Sequence, residues 1–141
     1  MPARTATAIW QGNLNEGTGS VKTESGALNG AYAFATRFEN GAGTNPEELL
    51  GAAHAGCFSM ALAARLSREG FTVNSVETTA KVYLEKGEAG FGISRIELVT
   101  RGSVVGIDDA AFKEAAEATK TGCIISRALS AVPTTIDAAL V

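Results

Sequence analysis

The longest stretch without a charge runs from Leu49 to Ala64, inside NPEELLGAAHAGCFSMALAARLSREG, residues 45–70. Its Leu, Ala, Gly, Phe and Met residues occupy every face of a 3.6-residue period, which predicts a helix buried on all sides. A helix of this kind in a small chain needs its own sheet on one side and something else on the other. A second copy of the chain is the natural candidate. Asn45 suits the N-cap, Pro46 the first helical position and Glu48 the third, a capping-box-like start; Gly70 ends the helix. Glu47 and Glu48 also lie where the helix dipole favours acids, so helix initiation alone accounts for both.

Elsewhere the period is mostly two. TATAIW is a short β-prone run, and GSVKTESGALNG carries turn residues at both ends. AYAFATRF, residues 31–38, alternates small and larger side chains and reads as a strand. ENGAGTNP is a loop by its Gly, Asn and Pro content. In FTVNSVETTAKVYLE, Val76, Thr78, Ala80, Val82 and Leu84 share one face, and KGEAG turns the chain back. In FGISRIELVTR, Phe91 and Ile93 keep one phase while Ile96 and Leu98 keep the other, which predicts a β-bulge near Ser94 and Arg95. IDDAAFKEAAEATKTG is helical, with acids early, Lys120 late and Gly122 as a stop. CIISRAL adds a helical turn and VPTTIDAALV a closing strand. The order is strands, long helix, hairpin, helices and strand: α+β, with a mostly antiparallel sheet.

Composition narrows this picture. A chain of 141 residues suits one domain spanning 1–141, and at that length about 68% of the unfolded surface can be buried without staples. With 45% apolar and 19% charged residues the chain is globular in character. A net charge of −3 with no Lys/Arg block leaves no electrostatic footprint for nucleic acid or an anionic membrane. MPARTATAIW has no signal-peptide core, and the 16 residues from Leu49 to Ala64 are too short and too weakly apolar to span a bilayer. The cytoplasm is the expected compartment.

Two cysteines remain as candidate chemistry. Cys57 and Cys123 lie far apart in sequence with no secretory signal, so a structural disulfide is a poor first expectation. A zinc site lacks a fourth ligand beyond His54, Cys57 and Cys123. Cys57 sits mid-helix, away from the helix N-terminus that would acidify a thiol, and a thiolate there needs a cation brought to it. Inert core filler is one reading of it. Cys123 follows Gly122 at the start of a helical turn, where free backbone N–H groups favour a thiolate. If the two meet in space they form a redox pair. His54, one turn before Cys57, reads as a packed core or interface histidine.

GTNPEELLGAAHAGCFSMAL resembles the signature of the OsmC/Ohr family of thiol peroxidases, in its OsmC branch. VKTESGALNG, GFGISRIEL, VVGIDDAAF and TKTGCIIS fall in family order, so the likeness covers nearly the whole chain. The resemblance implies an intertwined homodimer that reduces organic hydroperoxides and hydrogen peroxide; no bound cofactor or metal is expected, and apolar walls around Cys57 would make hydrogen peroxide the weaker substrate. It implies a mostly antiparallel sheet around a long central helix, and a dithiol reductant such as a lipoyl protein. Residue by residue, it implies that Cys57 is the peroxidatic cysteine and Cys123 the resolving one. Arg37 in ATRFE would stabilise the thiolate, and Glu47 in NPEEL would hold that arginine. Where relatives often carry Cys-Pro, this chain has Cys123-Ile124, so the turn is less fixed. Glu47 and Cys57 are separated by roughly 15 Å along a helix axis, which an arginine can hardly bridge. Glu47 is therefore expected from the partner's helix, with two sites per dimer. A stoichiometric redox sensor and a non-catalytic ligand-binding dimer are the rival classes; thiol loss to peroxide and turnover with excess dithiol separate them. The walls around Cys57 are expected to be apolar, from Phe58, Met60, Ala61, His54 and Ala53.

Overall fold

Alternation and turn chemistry build two separate three-stranded sheets in the computed structural model, which describes residues 2–141. In the first, β1 (Ala6–Gln11), β2 (Thr18–Thr23) and β3 (Asn29–Tyr32) pair antiparallel in sequence order. In the second, β4 (Thr72–Gly87) and β5 (Gly90–Val105) form a long hairpin, and β6 (Thr134–Leu140) joins β5 in parallel. A parallel neighbour needs a crossover connection, and α3 (Asp109–Gly122) with α4 (Ile124–Ala128) supplies it. The α+β class and the preponderance of antiparallel pairing are as expected; the division into two sheets is new. By compactness the chain divides into one unit ending at Leu49 and another from Leu50 to Val141.

The first unit holds one departure from the sequence pattern. Phe34–Phe38 is a short helix, α1, where alternation predicts strand. The Ala33 N–H donates to Thr36 Oγ1 at 2.8 Å, and the Thr36 hydroxyl donates back to the Ala33 carbonyl at 2.9 Å. Phe34 and Phe38 then stack one turn apart, ring centroids 4.9 Å. A capping threonine and an i, i+4 aromatic pair outweigh the alternation. No apolar side chain of this unit is fully buried among the described residues; Trp10 and Tyr32 meet on the sheet face at 5.4 Å.

The long helix α2 spans Pro46–Arg68. Asn45 caps it as expected, its Oδ1 accepting from the Glu48 N–H at 2.7 Å. The Glu48 carboxylate does not complete the box; it accepts from the Thr44 hydroxyl at 2.8 Å. At the other end Gly70, with φ of 94°, lets the Phe71 N–H return to the Leu66 carbonyl at 3.1 Å. An 18-residue window of α2 has a mean hydropathy of 1.3, so by length and composition the helix is long and apolar enough to cross a membrane. That corrects the expectation that it is too short and too weakly apolar. Its packing is that of a core helix: Phe58, Leu62 and Leu66 are fully buried in one cluster with Ile96 and Leu98 of β5 and Phe112 of α3. The other face is open. Ala53, Gly56, Met60 and Ala64 are exposed, Met60 by 77%, so within a single chain the helix is not buried on all sides.

Val76, Ala80 and Val82 of β4 pack against this cluster on the face the period-two pattern marks, and Val73 joins them from the opposite phase across the register shift between Val73 and Ser75. The pairing passes from Tyr83–Arg95 to Leu84–Ile93, leaving Ser94 unpaired as the predicted bulge. Beneath α2, the Ser59 hydroxyl donates to Thr78 at 2.8 Å and Thr78 to the buried Thr100 at 3.0 Å, fixing the helix to both strands. Gly102 of β5 leaves room for Phe112: a Cβ there would lie 2.5 Å from the ring. Gly102→Ala should therefore lower the unfolding free energy by about 1–3 kcal/mol, read as a fall of several degrees in Tm. Gly92→Ala, in the same strand with open space around it, should stay within about 0.5 kcal/mol of the parent protein.

Candidate active site

Cys123 is at once the C-cap of α3 and the N-cap of α4. Its N–H donates to the Thr119 carbonyl at 2.8 Å, closing α3, and its carbonyl accepts from Arg127 at 3.0 Å, opening α4. Its Sγ accepts from the Ser126 N–H at 3.4 Å. This is the cap role that Ser or Asp usually fills, taken by a sulfur. The side chain is fully buried, and both cysteines are free thiols.

Cys57, half-buried on α2, meets the same turn. Burial pushes its thiol up, but the Ile125 backbone, the Cys123 side chain and the Ile124 backbone all bond to it, and the net effect is a pKa below the usual thiol value. The expectation that Cys57 lacks a helix N-terminus is thus corrected: its own helix does not supply one, but the first turn of α4 does. Of the backbone groups of that turn, the Ser126 N–H meets Cys123, while those of Ile125 and Ile124 favour the thiolate of Cys57 and not of Cys123. Two distant cysteines become neighbours through one turn.

His54 is buried, as the core-histidine reading expects, with 1% of its surface exposed. Burial lowers its pKa and keeps the ring neutral near pH 7. Its Nε2 bonds to Ser126 Oγ at 2.7 Å, a contact that sequence reasoning did not anticipate. The signal lay in CIIS, where a serine three places after an N-cap is one turn along.

A cavity of about 600 Å³ opens beside Cys57. Met60, Ala61 and Ala64 of α2 and Ile124 of α4 give it apolar walls, and Arg65 and Arg68 stand on its lining. The apolar expectation holds for Met60 and Ala61. Phe58 and His54 instead point into the core, where they are 0% and 1% exposed.

Arg37 and Glu47 are paired in the first unit. Arg37 Nε and Nη2 both donate to Glu47 Oε1, at 3.0 and 2.8 Å. Glu47 is therefore engaged by the arginine of its own chain. Its side chain is 9% exposed while that of Arg37 is 42% exposed, so the acid is anchored and the guanidinium faces outward. Trp10, Tyr32, Phe34 and Phe38 line a hollow of about 210 Å³ around Arg37. The structure brings the predicted site residues together as two pairs, Arg37 with Glu47 in one unit and Cys57 with Cys123 in the other.

Residues 39–137 match the family model described as OsmC-like protein. The chain is 51% identical over 125 residues to a protein named Peroxiredoxin OsmC from Escherichia coli (strain K12), covering 88% of this chain and 87% of that one. It is 32% identical to the uncharacterised protein YmaD of Bacillus subtilis (strain 168), over 86% of this chain and 83% of that one. Among solved structures it resembles the organic hydroperoxide resistance protein OhrB of Bacillus subtilis, with TM-score 0.72, 26% identity, and 97% and 98% of the two chains covered.

Proline is well tolerated at a first helical position, so Ile124→Pro should leave α4 intact while removing one N–H from Cys57. The Cys57 pKa should rise, and the thiolate fraction at neutral pH should fall. Alkylation rate against pH reads this; an unmoved or lowered midpoint would show that the Ile124 N–H does not act on Cys57.

Proposed function

This chain belongs to the OsmC-like family, and we propose that it is a cysteine-based peroxidase that reduces organic hydroperoxides through Cys57 and Cys123. The observation that carries this reading is the shared α4 turn, which places two free thiols together and aims backbone donors at the more accessible one. The Cys57 thiolate attacks the distal peroxide oxygen. The O–O bond breaks, the alkoxide leaves and takes a proton as alcohol, and Cys57 becomes a sulfenic acid. Cys123 then attacks that sulfur; an S–S bond forms, the S–O bond breaks and water leaves with the Cys123 proton. A dithiol such as a lipoyl group reduces the disulfide, and the reduced pair suits a cytoplasmic setting.

Arg37 is assigned to the thiolate and the peroxide oxygens, with Glu47 orienting it through a charge-assisted bond. Because Arg37 and Glu47 of one chain already hold each other, the pair serves as one preformed element. Glu47 lies ten positions before Cys57, about 15 Å of helix axis, so the pair is best delivered to the Cys57 of a second copy. The single OsmC-like domain, 1–141, thus acts as a homodimer with two sites. Two features support it: the open Ala53–Gly56–Met60–Ala64 face of α2, and a first unit with no fully buried apolar side chain among its described residues.

One equivalent of cumene hydroperoxide should remove two thiols from the native protein. Cys57→Ser should abolish turnover, and Cys123→Ser should retain one attack and then accumulate over-oxidised Cys57. The apolar cavity should favour organic peroxides: burying some 80 Å² of a tert-butyl-sized group is worth on the order of 2 kcal/mol, roughly 30-fold in kcat/KM, mostly through KM. Retention of both thiols would overturn the peroxidase; a preference for hydrogen peroxide would overturn only the apolar-pocket account.

Native mass spectrometry should find a dimer. Mixing Cys57→Ser with Arg37→Ala protein, each inactive alone, should restore about a quarter to a half of native activity through hybrid dimers that keep one intact crossed site. A stable, fully active monomer would exclude the crossed arrangement.

A further inference from the structure

His54 has no part in the mechanism above, yet it is the one histidine of the chain and is almost completely buried. Its Nε2 meets Ser126 Oγ at 2.7 Å, while its Nδ1 has no hydrogen-bond partner among the described residues. A buried polar atom left unmatched costs about 1–3 kcal/mol, so the ring is a poor choice for filling space. An apolar residue would fill this place without that cost. The bond it does make joins two elements that carry the two cysteines. His54 stands one turn before Cys57 on α2, and Ser126 lies in the first turn of α4. Ser126 in turn contacts the second cysteine directly, its N–H donating to Cys123 Sγ at 3.4 Å.

We propose that His54 is a positioning residue for disulfide closure, tying the α4 turn that carries Cys123 to the helix that carries Cys57. The inference rests on the reading that Cys57 and Cys123 close on each other. Either tautomer serves, because a serine hydroxyl can donate to or accept from Nε2. Ile124 makes the tether necessary. A proline after Cys123 would lock φ covalently at the start of the turn; with isoleucine there, only non-covalent contacts hold it, and α4 is only five residues long. A second anchor then has to hold Cys123 against Cys57 during the attack. Closure requires the Cys123 sulfur to reach the sulfenic sulfur in line with the departing oxygen, and a loose turn spends less time in that arrangement.

The tether affects the second step and not the first. Ser126→Ala removes one partially buried oxygen and leaves the Ser126 N–H bond to Cys123 in place. His54→Leu removes the other partner, and His54→Gln keeps an amide able to reach Ser126. In quenched reactions with cumene hydroperoxide followed by intact-mass detection, sulfenic acid formation should stay within about 2-fold of native in all three. Disulfide closure should slow about 5-fold in Ser126→Ala and His54→Leu, the factor equivalent to roughly 1 kcal/mol for a single hydrogen bond. Over-oxidised Cys57, with two added oxygens, should rise by the same factor at excess peroxide. His54→Gln should recover most of the closure rate, and the double variant should be no slower than the slower single one.

A second arm needs no peroxide. Oxidised glutathione forms a mixed disulfide on Cys57 and releases one glutathione; Cys123 then attacks the Cys57 sulfur and releases the other. That release should slow about 5-fold in the same variants. Native closure rates in Ser126→Ala in both arms would overturn the tether, as would His54→Gln behaving like His54→Leu. No thiol loss to peroxide, with slowed release in the glutathione arm, would uphold the tether and remove the peroxidase reading alone.

Discussion

A helix end leaves backbone groups unsatisfied, and in this chain one residue answers for two such ends. Cys123 closes α3 with its N–H and opens α4 with its carbonyl and its sulfur. The short α4 contributes little stability of its own, since isolated helices of this length are marginal in water. What it contributes is direction. Its first N–H groups have no helical partners: that of Ser126 meets Cys123, and the Ile125 and Ile124 backbone meets Cys57 of α2 and lowers its pKa. The core then holds the two sides in register: Phe58 and Leu62 on α2, Phe112 and Ala116 on α3, and Ile96 and Leu98 on β5 are all fully buried together.

Opposing forces act on the Cys57 thiol, and their order decides the outcome. Desolvation disfavours the thiolate and is the largest single influence on it. The bonds from the Ile125 backbone, Cys123 and the Ile124 backbone together exceed it. This is a way to favour a thiolate through hydrogen bonds alone, without a formal charge among its causes. Half-exposure suits the same task. A sulfur that attacks a peroxide, the role proposed for Cys57, has to be reached from outside, whereas Cys123, proposed only to meet Cys57, is fully buried.

Much of this was legible in the residues. Period two placed Val76, Ala80 and Val82 on the inner face, and the phase change in FGISRIEL marked the bulge at Ser94. The Asn45 cap and the Gly70 stop were readable because caps depend on local chemistry alone. AYAFATRF misled because alternation and a capped helical turn share a pattern over so few residues; the Thr36 hydroxyl decided it. The site was harder. Cys57 and Cys123 are 66 positions apart, and no period links α2 to the turn after α3. The resemblance paired them; only the three-dimensional contact showed that backbone N–H groups do part of the acidifying, and that His54 reaches Ser126.

The small residues of α2 carry a last consequence. Gly51 is buried against β4, where a Cβ would meet Val82 at 3.4 Å and Ala80 at 3.7 Å, ordinary contact distances. Gly56, with nothing within 4 Å of a Cβ, has no such contact in the single chain. A mid-helix glycine costs up to about 1 kcal/mol against alanine, and at an open position that cost has no local return. Gly56 is one turn before Met60, the most exposed large apolar residue of the helix, and the two share the open face with Ala53 and Ala64. A face of small residues around one flexible thioether is shaped for close approach by another helix. In the homodimer proposed for this chain a second α2 would supply that helix and give Gly56 a packing role that it lacks in the single chain.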